Sequence, residues 1–104
     1  MIEIIWDEPF LRILKKWRKK HPDLSERFQQ KISLFIEEPF HPSLRTHSLS
    51  GNLDGCLALS ITYEYRLVFK FISGERVLLV DIGSHDDVYQ RRLAIDRIHT
   101  TDLD

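Results

Sequence analysis

The chain has 104 residues, 42% of them hydrophobic and 30% charged, with a formal net charge of −1, which is the size and make-up of one compact domain. Four Gly and four Pro exclude a low-complexity or collagen-like chain, and the single Cys56 excludes an internal disulfide framework or a multi-cysteine zinc site. No apolar run reaches the roughly 20 residues of a membrane span and no signal-peptide pattern opens the chain, so the expected compartment is the cytoplasm.

In chain order, Ile2–Trp6 is a β-branched and aromatic run that predicts a short strand. Asp7 reads as an N-cap with Pro9 in the first turn of a helix over residues 8–20, and Phe10, Ile13, Leu14 and Trp17 form its apolar stripe. Between them crowd Arg12, Lys15, Lys16, Arg18, Lys19 and Lys20. Such a cluster either tracks nucleic-acid phosphates or is simply a solvated helix face. His21-Pro22 breaks the helix, and Asp23 with Glu26 three residues on predicts a capping box. A second helix follows, with Leu24, Phe28, Ile32, Phe35 and Ile36 as its stripe, ending at Glu37-Glu38-Pro39. The segment from Pro39 to Gly55 reads as a long loop, and loops of that length in small domains are usually functional.

The second half changes period. Cys56–Thr62, Tyr65–Ile72 and Arg76–Gly83 alternate apolar with small or polar residues and predict three antiparallel strands with one face under the helices. The expected architecture is therefore α+β in the order β-α-α-β-β-β: an N-terminal strand, a two-helix hairpin and a three-stranded meander. A two-residue Ser73-Gly74 turn would pair Lys70 with Val77, Val68 with Leu79 and Arg66 with Asp81, on an open face that also presents Ser60 and Thr62. Val88–His99 is a candidate last helix anchored by Leu93, Ile95 and Ile98, with Thr100–Asp104 frayed beyond it.

Nucleophile-elbow, phosphate-loop and zinc-protease motifs are absent, and the histidines at 21, 41, 47, 85 and 99 lack ligand spacing. No cofactor and no metal are expected, which leaves acid–base and electrostatic chemistry. His85 follows Gly83 at the end of the third strand, four residues before Tyr89, so that one helical turn puts both rings on one side. It either caps the strand or exchanges protons. Arg66 either pairs with Asp81 or clamps a phosphate in the bidentate way open to a guanidinium. Glu64 is a free carboxylate or a general base, His47 a loop histidine or part of the site, and Lys70 a cation of the open face.

Three segments in this order resemble the RelE/ParE toxin superfamily, above all its YafQ-like and RelE/StbE-type mRNA interferases. They are His47-Ser48-Leu49-Ser50-Gly51 followed by Leu53-Asp54-Gly55; Ile61-Thr62-Tyr63-Glu64-Tyr65-Arg66-Leu67-Val68-Phe69; and Ile82-Gly83-Ser84-His85-Asp86-Asp87-Val88-Tyr89. The resemblance covers residues 1–89 as one toxin domain and leaves 90–104 as a tail. It implies the toxin of a type II toxin–antitoxin system, a metal-independent endoribonuclease that cuts mRNA on the ribosome and is silenced by a cognate antitoxin, with no membrane partner. By position, it makes His85 the acid–base histidine, Tyr89 the base-stacking aromatic and Arg66 the phosphate-facing arginine, with Glu64 and His47 at a carboxylate and a histidine position. Lys15, Lys16, Lys19, Lys20 and Lys70 are the candidate RNA-binding cations. The chain departs from the pattern on strand Cys56–Thr62, which has no Lys, Arg or His; Ser60 stands where the YafQ-like branch has a second histidine. Asp86-Asp87 beside His85 favours an acid role over a base role. The alternative is a non-catalytic ParE-like toxin acting on a protein such as DNA gyrase, which would have no use for His85 and Tyr89 around the open face.

Overall fold

A computed structural model describes residues 1–91. Strand β1 (Glu3–Ile5) leads into helix α1 (Glu8–Lys20), whose Asp7 cap accepts the Phe10 N–H at 3.1 Å as expected. Helix α2 (Ser25–Glu37) follows a 3-10 turn at Pro22–Leu24. The expected capping box does not form: Leu24, not Asp23, is the N-cap, and no side chain caps the helix, because the 3-10 turn has already reversed the chain. Then come β2 (His47–Ser48), β3 (Leu57–Ser60), β4 (Tyr65–Phe71) and β5 (Arg76–Ser84), and residues 85–91 are helical, here α3. The expected tail helix thus begins earlier, and its part beyond residue 91 lies outside the described residues.

The fold is α+β, with a wider sheet than the expected meander. Among the described residues the sheet has five strands in the order β1-β5-β4-β3-β2. The N-terminal strand joins it by parallel pairing with β5, Ile4 opposite Val77, so the first and last strands are neighbours. Two residues of the expected loop, His47 and Ser48, pair with Ala58 and Leu57 as a minimal edge strand.

The helices bury Phe10, Leu14 and Trp17 from α1 and Phe28, Ile32 and Phe35 from α2 against Leu59, Ile61, Leu67, Phe69, Val77 and Leu79 of the sheet. Each such side chain contributes about 1.5–3 kcal/mol on burial, so this face carries most of the stability. The alternation read on β3 and β4 is correct; on β5 it is inverted over Val77–Val80 and correct again at Ile82, which lies in the main core as expected. Val77 and Leu79, expected on the open face, lie in the main core, and Val80 packs on the opposite side. Two features of the β4–β5 hairpin cause this. Ile72 N–H donates to the Arg76 carbonyl at 2.9 Å, which lengthens the turn to Ser73-Gly74-Glu75. The register then shifts between Val68 and Phe69, from Phe69 opposite Leu79 to Val68 opposite Asp81, and the extra residue on β5 is a β-bulge.

The bulge changes the cross-strand partner of Arg66. Arg66 faces Gly83 rather than Asp81, so the expected Arg66–Asp81 pair does not exist. Asp81, 3% exposed, takes the Arg91 guanidinium from α3 instead, at 2.8 Å. The face read as open is also partly covered: Leu53, Val68 and Val88 form a second small core with Leu49, Cys56, Val80 and Tyr89 around it. No described helix is long and apolar enough to cross a membrane.

Candidate functional site

Ser84 ends β5 and caps α3, its Oγ accepting the Asp87 N–H at 3.1 Å. That cap turns the chain at the rim of the sheet and sets His85 and Tyr89 one helical turn apart, their ring centroids 4.6 Å from each other. Val88 between them is buried in the second core and fixes which way α3 faces. Arg66 reaches the same rim from β4, with Nη1 3.3 Å from His85 Nδ1. A guanidinium can only donate, so His85 Nδ1 is the acceptor and the ring proton sits on Nε2. No carboxylate among the described residues bonds to the ring.

Arg66 also lines a second, larger cleft of about 460 Å³ on its other side. Ser60, Ile61, Thr62 and Tyr63 of the β3–β4 corner form one wall, and Arg27, Lys31, Ser43, Arg45 and His47 the other. Lys31 Nζ donates to the Ser43 carbonyl at 3.2 Å and ties α2 to the Pro42–Leu44 turn. Arg45 follows that turn in the left-handed region at φ 52°, and its carbonyl accepts from His47 Nδ1 at 2.8 Å. A carbonyl can only accept, so His47 donates from Nδ1, and its Nε2 has no hydrogen-bond partner among the described residues. His47 and His85 thus line two clefts that share Arg66.

Of the sequence candidates, the structure gathers Arg66, His85 and Tyr89 at one rim and His47 at the adjoining cleft. Glu64 is not among the residues lining either cleft; it lies beside Tyr65, whose phenol is raised first by burial and then by the Glu64 charge. The candidate RNA-binding lysines are scattered. Lys15 and Lys19 flank a shallow cleft on α1 with Leu11, Leu14 and Arg18, Lys70 lies in another beside Asp54 and Asp81, and Lys16 and Lys20 line none of the clefts described. The sequence reading missed Arg27, Lys31 and Arg45. They supply beside Ser60 the positive charge that β3 lacks, but from a helix and a loop, where no strand alternation marks them. Among the described residues no three His, Cys, Asp or Glu side chains are grouped to hold a metal ion.

A search of the curated proteins gave no match. Among solved structures, the chain is similar to YafQ from E. coli strain BL21(DE3), with TM-score 0.71 at 16% identity over 86% of this chain and 99% of that one. It is also similar to a YoeB/ParE toxin from Agrobacterium tumefaciens, with TM-score 0.65 at 21% identity over 81% and 99%. A third likeness is to the E. coli DinJ–YafQ complex, with TM-score 0.70 at 16% identity over 86% and 99%. At these identities the structures speak for the fold alone. Residues 2–90 match the family model described as the bacterial toxin of type II toxin–antitoxin system, YafQ. The chain belongs to the YafQ family of type II toxin–antitoxin toxins.

Proposed function

We propose that the chain is a metal-independent endoribonuclease that cuts mRNA on the ribosome, in the cytoplasm, and is held inactive by a cognate antitoxin. The observation that carries this reading is Arg66 lining one cleft with His47 while it contacts His85 in the adjoining one, with the Tyr89 ring beside His85. His47 Nε2 accepts the proton of the 2′-hydroxyl, whose oxygen attacks phosphorus. Arg66 binds the phosphate and balances the charge of the pentacoordinate transition state. As the phosphate draws the guanidinium away, His85 Nδ1 takes up a proton from solvent water, and the imidazolium then donates its Nε2 proton to the departing 5′-oxygen and returns to neutral. Tyr89 stacks on the base that follows the cut. The bulge supports this assignment, because it moves Asp81 away from Arg66 and leaves the guanidinium to a substrate.

Acid–base groups contribute roughly 10²–10⁴ in rate and a preorganised charge donor roughly 10²–10³. His85→Ala and Arg66→Ala are each expected to abolish toxicity in a growth assay while leaving the fold intact. Cleavage should survive chelators and leave a 2′,3′-cyclic phosphate, since the attacking oxygen belongs to the RNA. A fully toxic His85→Ala variant, or ends bearing a 3′-hydroxyl, would overturn this mechanism. The antitoxin reading rests on the family and on α1, where Leu11 is 43% exposed in a cleft edged by Lys15, Arg18 and Lys19, a surface that fits an acidic amphipathic segment.

A further inference from the structure

We infer that the cleft behind Arg66 is a second nucleotide subsite, in which Arg27, Lys31 and Arg45 hold a phosphate and Tyr63 stacks on a base. The inference deepens the nuclease reading and takes its strand polarity from it. Its first support is charge. No carboxylate lines this cleft, and among the described residues none of Arg27, Lys31, Arg45 or Arg66 is ion-paired. Four unpaired cations around one concavity, in a chain of net charge −1, focus field on whatever anion enters. The second support is Tyr63, which lines the same cleft and is 94% exposed. A phenol ring left in water at the lip of a cationic cleft is the arrangement that binds single-stranded nucleic acid, cations on the backbone and an aromatic face on a base. The third is Arg45, a non-glycine residue held in a left-handed conformation, a strain that recurs at ligand clamps.

The histidines orient the strand. The 2′-hydroxyl belongs to the nucleotide on the 5′ side of the cut, and His47, its proposed acceptor, lines this cleft; His85 and Tyr89, on the leaving-group side, line the other cleft that Arg66 borders. The subsite therefore takes the nucleotide that supplies the 2′-hydroxyl, and Arg27, Lys31 and Arg45 contact the phosphate one step upstream of the scissile one.

The test is anisotropy of a fluorescent single-stranded RNA hexamer, with 2′-deoxyribose at the cut so that binding is read without cleavage. Tyr63→Ala is expected to weaken binding about 5- to 100-fold, with Tyr63→Phe near wild type. Arg27→Ala and Arg45→Ala should each weaken binding and lower the log–log salt slope by about 0.7. A neutral methylphosphonate at the upstream phosphate should remove the effect of Arg45→Ala, whereas one downstream of the cut should not. All three side chains are exposed, so thermal midpoints should not move. Wild-type binding in the Arg and Tyr variants, no binding by the wild type, or a methylphosphonate effect only downstream overturns the subsite. RNA bound through this cleft but never cut, with or without ribosomes, would overturn the nuclease reading and leave the subsite standing; normal cleavage by variants that bind normally would do the reverse.

Discussion

The side chains around Arg66 differ in how they are held, and that decides which can act. His47 is tied through Nδ1 to a backbone carbonyl and offers Nε2, whereas Glu64 sits outside both clefts beside Tyr65. His47→Ala should therefore lower single-turnover cleavage by roughly 10²–10⁴ while Glu64→Gln leaves it within a few-fold of wild type; the opposite order would make Glu64 the base. Tyr65 makes a separate prediction. Packed on Trp17 and His21, its phenol is raised above the ordinary 10.0 by burial first and by Glu64 next. The folded state thus favours the protonated form, so this contribution is complete below pH 10.0 and is lost as pH rises through the folded value. Denaturant midpoints should fall more steeply above pH 10.0 in wild type than in Tyr65→Phe. At this scale His85 and Tyr89 were legible because a four-residue spacing survives in any helix. Arg27 and Arg45 were not, since only the folded chain brings α2 to the Pro42–Leu44 turn.

Among the elements, β3, β4 and helices α1 and α2 were legible from period alone, whereas on β5 the expected face held only beyond the bulge, at Ile82. A β-bulge adds one residue to a strand without changing its composition, and each residue of offset moves side chains to the other face. The three-residue turn and the bulge each displace the register by one, so Arg66 passes from Asp81 to Gly83. The two short edge strands carry too few residues to show a period. Two stability measurements follow. Val68, expected on an open face, is 1% exposed, so Val68→Ala should cost roughly 2 kcal/mol and Phe69→Ala about 3–5 kcal/mol by denaturant titration. Arg91→Ala should strip the buried Asp81 of its cation and cost about 1–3 kcal/mol, discounted because the arginine side chain is 42% exposed. Asp81→Asn combined with Arg91→Ala should recover part of that loss. Gly83 belongs to the same lock, since a Cβ there would lie 2.9 Å from Arg91 Nη2.

At the scale of the molecule, a net charge of −1 conceals segregation: cations without carboxylates behind Arg66, more on α1, and acidic residues elsewhere. Bulk charge was a poor guide to function because a cleft responds to its own lining. The parallel pairing of β1 with β5 has a further consequence, for the order of synthesis. Glu3 has no partner in the sheet until Arg76 has been made, and Arg66 has no His85 beside it until β5 has run its length and α3 has begun. The contacts that close the sheet are among the most distant in the chain, and such contacts form late. A growing polypeptide of this sequence thus carries α1, α2 and its cationic cleft lining early, yet lacks His85 and Tyr89 until nearly the last turn of the described fold. The rim that joins Arg66 to His85 and Tyr89 is therefore the last part of the described fold that synthesis makes available for assembly.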